Sequence, residues 1–179
     1  LIMKIDKHLH IIFDQIKINP NLKLTDMWNN INLETKSGYD LNSSIAFKRL
    51  LKSFFLFNYF KNIGTLSGNI LEVGVFKGFS GMLLKKLENE YNYKSNSDKL
   101  FLIDSFEGLS DIHEKDKVIN EEIFQHEKGH FKVEFKDIKK LFHNYQNVHL
   151  IKGWIPKVFE TVNENNRYKF VHIDVDLYE

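Results

Sequence analysis

Four short stretches carry residues whose types and spacing could do chemistry. In ILEVGVFKGFSG, Gly74 lets the chain turn sharply and Gly78 opens a helix whose first amides point outward, an arrangement able to cradle a small anionic group. The spacing lacks the Gly-x-Gly-x-x-Gly of dinucleotide-binding folds, so a nicotinamide cofactor is the weaker reading. In FLIDSFEGL, Asp104 follows an apolar run and can accept hydrogen bonds from two ribose hydroxyls, with Phe106 offering a flat surface to an adenine. In HLIKGWIPKVF, Gly153 and Trp154 stand where an adenine would be edged or covered, and a Trp buried in the core is the alternative. The fourth stretch, VHIDVDLYE, sets two carboxylates, Asp174 and Asp176, directly after an apolar strand.

These stretches need a scaffold that brings them together. Short apolar runs at 70–75, 100–103, 148–151 and 170–173 alternate with helical patterns at 80–87 and 135–142. Continuous apolar strands separated by helices predict an α/β fold, a doubly wound parallel sheet with helices on both faces. Ligands bind such sheets beyond the carboxyl ends of the strands, where all four stretches fall. Residues 1–66 are expected to form a helical region and substrate-side arm, and residues 67–179 the cofactor-binding core. Within the first region, Ser43 or Ser44 can cap a helix over 45–63, whose Phe47, Leu50, Leu51, Phe54, Phe55 and Phe57 predict a core-facing stripe. NPNLKLTDMWNNINLETKSGYD mixes turn formers with isolated apolar residues and is expected to be loop-rich.

Composition narrows the function. The 179 residues carry a formal net charge of +1, which gives no electrostatic footprint for nucleic acid. Cysteine is absent, removing disulfides and thiolate chemistry. No apolar run is long enough to span a bilayer, and the expected setting is cytoplasmic.

Taken in order and spacing, EVGVFKGFSG, LIDSFEGLSD, VHLIKGWIPKVFETV and VHIDVDLYE resemble the macrocin O-methyltransferase family, over residues 68–179. The resemblance implies S-adenosylmethionine as methyl donor, a magnesium ion held by carboxylates, and a small sugar-type acceptor. It assigns Glu72, Gly74 and Gly78 to the cofactor turn, Asp104 to the ribose, and Asp174 to the metal and the catalytic step. Asp176 is read as a second metal ligand, with a loop carboxylate bonded to nearby amides as the alternative, and Ser80, Ser105, Phe106, Gly153 and Trp154 as cofactor contacts. Phe79, Ser110 and Val175 depart from the family pattern, adding bulk near the cofactor or substrate at the first and third. The family continues past the equivalent of Glu179 with an acidic pair that completes the metal site, and a sheet ending on its fourth strand would leave an apolar edge, so a longer chain is expected. A homo-oligomer is left open.

Two other readings stand beside this one. A relative that keeps the fold without catalysis would serve as an interaction module. HEKGH, residues 126–130, matches the zinc-peptidase pattern through His126, Glu127 and His130, although Gly129 weakens the helix that pattern needs. His172, on the last strand, reads as a satisfied core histidine.

Overall fold

The computed structural model describes residues 22–40, 44–63, 65–91, 98–113, 116, 127–162 and 165–177. Helices α1 (Leu22–Glu34) and α2 (Ser44–Ile63) precede strand β1 (Asn69–Val73), helix α3 (Phe79–Tyr91), strand β2 (Leu100–Asp104), helix α4 (Phe135–Phe142), strand β3 (Val148–Lys152), a 3-10 segment (Lys157–Thr161) and strand β4 (Tyr168–Ile173). The four strands form a parallel sheet in the order β3-β2-β1-β4. With β1 central, the chain leaves it for β2 and β3 on one side and returns to β4 on the other. The strand ends that carry the chemistry are thereby set side by side.

Alternation along the strands sorts the sheet into two faces. Ile70, Leu100 and Leu102 join helical residues such as Leu50, Phe60, Leu83, Leu87 and Phe142 in one apolar cluster. Leu71, Val73, Phe101 and Ile103 form a second cluster with Val158 of the 3-10 segment. On β4 the side chains of Val171 and Ile173 are exposed, so among the described residues this second face is only partly covered. No described helix is long and apolar enough to cross a membrane.

The segment expected to be loop-rich is instead α1. Its apolar residues look isolated in the sequence, yet Leu24, Trp28 and Ile31 fall at helical spacing and are all buried, while Asn29 and Asn30 face outward. Trp28 packs edge-on against Phe79, with ring centroids 5.4 Å apart. After the helix, Asn32 exchanges two hydrogen bonds with the backbone of Tyr39, accepting from its amide at 3.0 Å and donating to its carbonyl at 2.8 Å. This folds the chain back and places the Tyr39 ring against both Trp28 and Phe79.

The stripe on α2 also differs in detail. Ala46, Leu50, Ser53, Phe57 and Phe60 are buried, at intervals of three and four, whereas Phe55 and Tyr59 are exposed and stack on each other. Phe55 lies about 200° round the helix from Phe57, which turns it to solvent when Phe57 is inside. Ser43 and the Ser44 and Phe47 side chains lie outside the described residues. Because Trp28 ties α1 to α3 and Tyr39 together, Trp28→Ala should destabilise the protein by about 3–5 kcal/mol. A urea-unfolding midpoint unchanged from the parent would contradict that packing.

Candidate active site

A cavity of about 610 Å³ opens at the carboxyl ends of β1, β2 and β4. Its organising group is the Asp104 carboxylate at the end of β2. Oδ2 accepts the amides of Val75 at 2.7 Å and Phe76 at 2.9 Å, and Oδ1 accepts the amide of Phe106 at 2.6 Å. One charged side chain thus ties together the turns after β1 and β2. Phe76 and Phe106 both sit in the left-handed region, at φ 49° and 56°, which side-chain-bearing residues seldom adopt without support. The charge-assisted bonds to Asp104 supply it.

Glycine is required at position 74 by close packing of the strand ends. Its φ is +91°, and a Cβ there would lie 2.0 Å from the carbonyl oxygen of Asp174. The Gly74 amide donates to Ile103 and the Asp174 amide to Val73, so β1, β2 and β4 close on one point. Gly78 likewise packs inward: a Cβ would meet Leu141 and Phe142 of α4 at 2.9 and 3.0 Å, and Gly78 does not line the cavity.

The remaining candidates divide. Ser80, Ser105, Gly153, Trp154, Asp174 and Asp176 line the cavity with Gly74 and Asp104. Ser105 braces its own loop, its Oγ accepting the amide of Glu107. Trp154 is a rim residue rather than a core one; its indole N–H donates to Glu107, which also pairs with Lys152 at 3.2 Å. The hydrogen bond from Lys152, then that from Trp154, holds the Glu107 carboxyl below its ordinary range. Phe106 is buried and stacks on Phe135, so the aromatic wall comes from Phe76 and Phe131 instead. Glu72 lies beneath the cavity. It is fully buried, bonded through Oε1 to Nδ1 of His172 at 3.0 Å across the β1–β4 pair, and Oε2 has no partner among the described residues. His172 is thus a satisfied inner histidine.

Helix α2 contributes what the sequence did not suggest. Lys52 forms an ion pair with Oδ2 of Asp174, and Nη1 of Arg49 lies 3.9 Å from the same oxygen. Burial pushes the Asp174 carboxyl upward; the hydrogen bond and charge of Lys52, with His172 and Arg49 behind, outweigh it and leave the group below its ordinary value. A depressed carboxyl stabilises the fold above its unfolded pKa, and that contribution is lost as the pH falls through the folded value. Tyr39 and Arg49 line the cavity as well. The legible signal was a pair of cations at i and i+3, Arg49 and Lys52, on a helix that also carries Lys48 and Lys61.

The described residues do not by themselves complete a site for the implied magnesium ion. Asp174 already holds an ammonium group, and no cluster of three histidine or carboxylate side chains able to hold a metal occurs among the described residues. The peptidase pattern also lacks its geometry. His126 lies outside the described residues, and residues 128–131 form a turn, with Gly129 at φ +81° and its amide bonded to the carbonyl of Leu109.

Residues 60–179 match the family model described as macrocin-O-methyltransferase (TylF). The chain belongs to the macrocin-O-methyltransferase family. No curated protein matches it in sequence. Among solved structures, CalS11, a calicheamicin methyltransferase, superposes with a TM-score of 0.58 at 18% identity, over 87% of this chain and 68% of the other. The O-methyltransferase NovP gives a TM-score of 0.60 at 16% identity, over 88% and 74%. Identities this low speak to the fold, and the fold is that of these methyltransferases.

Asp104→Asn puts an amide N–H against backbone donors where a carboxylate oxygen now accepts. The variant of this methyltransferase should lose about 1.5–3 kcal/mol in denaturant unfolding, the scale of hydrogen bonds to a charged group. Parent-like stability would mean that Asp104 does not brace the two turns.

Proposed function

We propose that the protein transfers the methyl group of S-adenosylmethionine to a hydroxyl of a sugar or sugar-containing small molecule. The observation that carries this reading is the cavity itself: a turn braced by Asp104 after β1, an aromatic rim, and Asp174 at the opposite wall. The family membership supplies the reaction class, and the acceptor class is inferred from the family's macrocin substrate.

The cofactor supplies an electrophilic methyl on a sulfonium; everything else falls to the chain. A carboxylate offers about four acceptor positions, and Asp104 has given three to amides, which leaves room for about one ribose hydroxyl. Ser105, Gly153 and Trp154 line the same cavity and would flank the nucleoside, and Gly74 and Ser80, also lining it, would face the methionine end. Asp174 is ionised at neutral pH and faces the cavity. In a direct displacement the acceptor oxygen attacks in line with the departing sulfur. As the C–O bond forms, the attacking hydroxyl becomes strongly acidic. A carboxylate of low pKa is therefore sufficient to take the proton, and its main service is to orient the hydroxyl. The products are the methyl ether, the neutral thioether and a proton on Asp174 that passes to solvent.

Asp174→Asn keeps the shape and removes the proton acceptor. Methyl transfer from labelled S-adenosylmethionine to nucleotide-sugar or glycoside acceptors should fall on the order of a hundredfold, while S-adenosylhomocysteine affinity changes little. Because the Asp174 pKa is depressed, its protonation should not limit the parent between pH 8 and pH 5 (about), with loss beginning only in the acid range below that. An Asp174→Asn enzyme as fast as the parent would remove Asp174 from the reaction.

A further inference from the structure

Although HEKGH lacks the geometry of a peptidase, its turn is fastened to the loop after β2. The Gly129 amide donates to the carbonyl of Leu109 at 2.9 Å, and the Leu109 amide donates to the carbonyl of His130 at 2.8 Å. Gly108 makes this approach possible: its φ is +82°, and a Cβ there would lie 2.4 Å from the carbonyl oxygens of both Gly129 and His130. The glycine of FEGL is thus required by the turn of HEKGH.

What the clasp delivers is Phe131. This residue closes the turn in the left-handed region, at φ 67°, and its ring lies edge to face with Phe76, centroids 5.2 Å apart, on the wall of the cavity. The His130 ring packs edge-on against it at 4.2 Å. A left-handed phenylalanine is strained, and the paired backbone bonds of the clasp offset the strain. Asp104 holds Phe76 and the clasp holds Phe131, so the wall stands without a ligand.

We propose that Phe131 selects the acceptor by its apolar surface. This rests on the methyl-transfer reading of the cavity. In that reading Asp104, Ser105, Gly153 and Trp154 serve the nucleoside, and the acceptor hydroxyl is held at Asp174. The lining that remains for the rest of the acceptor includes three apolar side chains, Phe76, Leu109 and Phe131, on the turn after β1 and the two clasped segments. Such a wall gains free energy from apolar area removed from water and offers a sugar hydroxyl no hydrogen bond. It therefore favours an acceptor that carries an apolar group beside the sugar.

The test measures methyl transfer by the parent, Phe131→Ala, Phe131→Leu and Gly108→Ala to paired methyl and phenyl glycosides of a hexose panel, with S-adenosylhomocysteine affinity followed by calorimetry. The parent should prefer the phenyl glycoside in kcat/KM by about tenfold to a hundredfold, the range an apolar contact supplies. Phe131→Ala should bring that ratio to about one, and Phe131→Leu should keep part of it, with S-adenosylhomocysteine affinity unchanged in both. Gly108→Ala forces the turn away without altering Phe131 and should lower the ratio in the same way. A ratio between two substrates is independent of how much of a variant is folded. A parent without the preference, or a preference that survives Phe131→Ala, overturns the assignment while the methyl-transfer reading stands. A parent that methylates no member of the panel removes the sugar-acceptor reading, and the assignment falls with it.

Discussion

Three backbone amides converging on one carboxylate set the geometry of the whole site. Asp104 ends β2, and its side chain reaches across to the turn after β1 and forward into its own loop. Two aromatic residues are held in left-handed backbone conformations as a result, one pointing its ring at the cavity and the other into the core. Both effects follow from charge meeting backbone N–H in a partly buried place, where such bonds are strongest. A ligand entering this cavity meets turns that are already fixed and so spends little free energy on ordering them.

A second charged contact joins the helical layer to the far side of the sheet. Lys52 and Arg49 on α2 meet Asp174, the first residue past β4, while Glu72 and His172 pair directly beneath, between β1 and β4. Gly74 makes this closure possible, since any side chain there would collide with the Asp174 backbone. The requirement for glycine is therefore one of strand-end packing first, and only through that a requirement of the ligand site. The same ion pair explains why Asp174 is ready as a carboxylate: its charge is favoured by an ammonium group.

The parts of the fold that were legible in the sequence are those with continuous apolar runs. LFLID, buried between β1 and β3, and KFVHI, paired with β1, read as strands, and strand ends then locate Asp104, Gly153 and Asp174. Helix α1 was hidden because Leu24, Trp28 and Ile31 are diluted by asparagines whose turn preference is overridden once Trp28 is inside the core. Phe106 was misplaced because sequence adjacency to Asp104 says nothing about where its ring packs, and the ring is buried against Phe135. The inward role of Gly78 and the cationic wall of α2 depend on contacts between segments more than 60 residues apart, which no local pattern encodes.

A crystal structure of the protein with S-adenosylhomocysteine bound tests the account most directly. The account predicts electron density across the Gly74 turn, with the nucleoside between Asp104 and Trp154 and the amides of Val75, Phe76 and Phe106 still on Asp104. Density outside this cavity, or a bound ligand with Asp104 released from those amides, would contradict it.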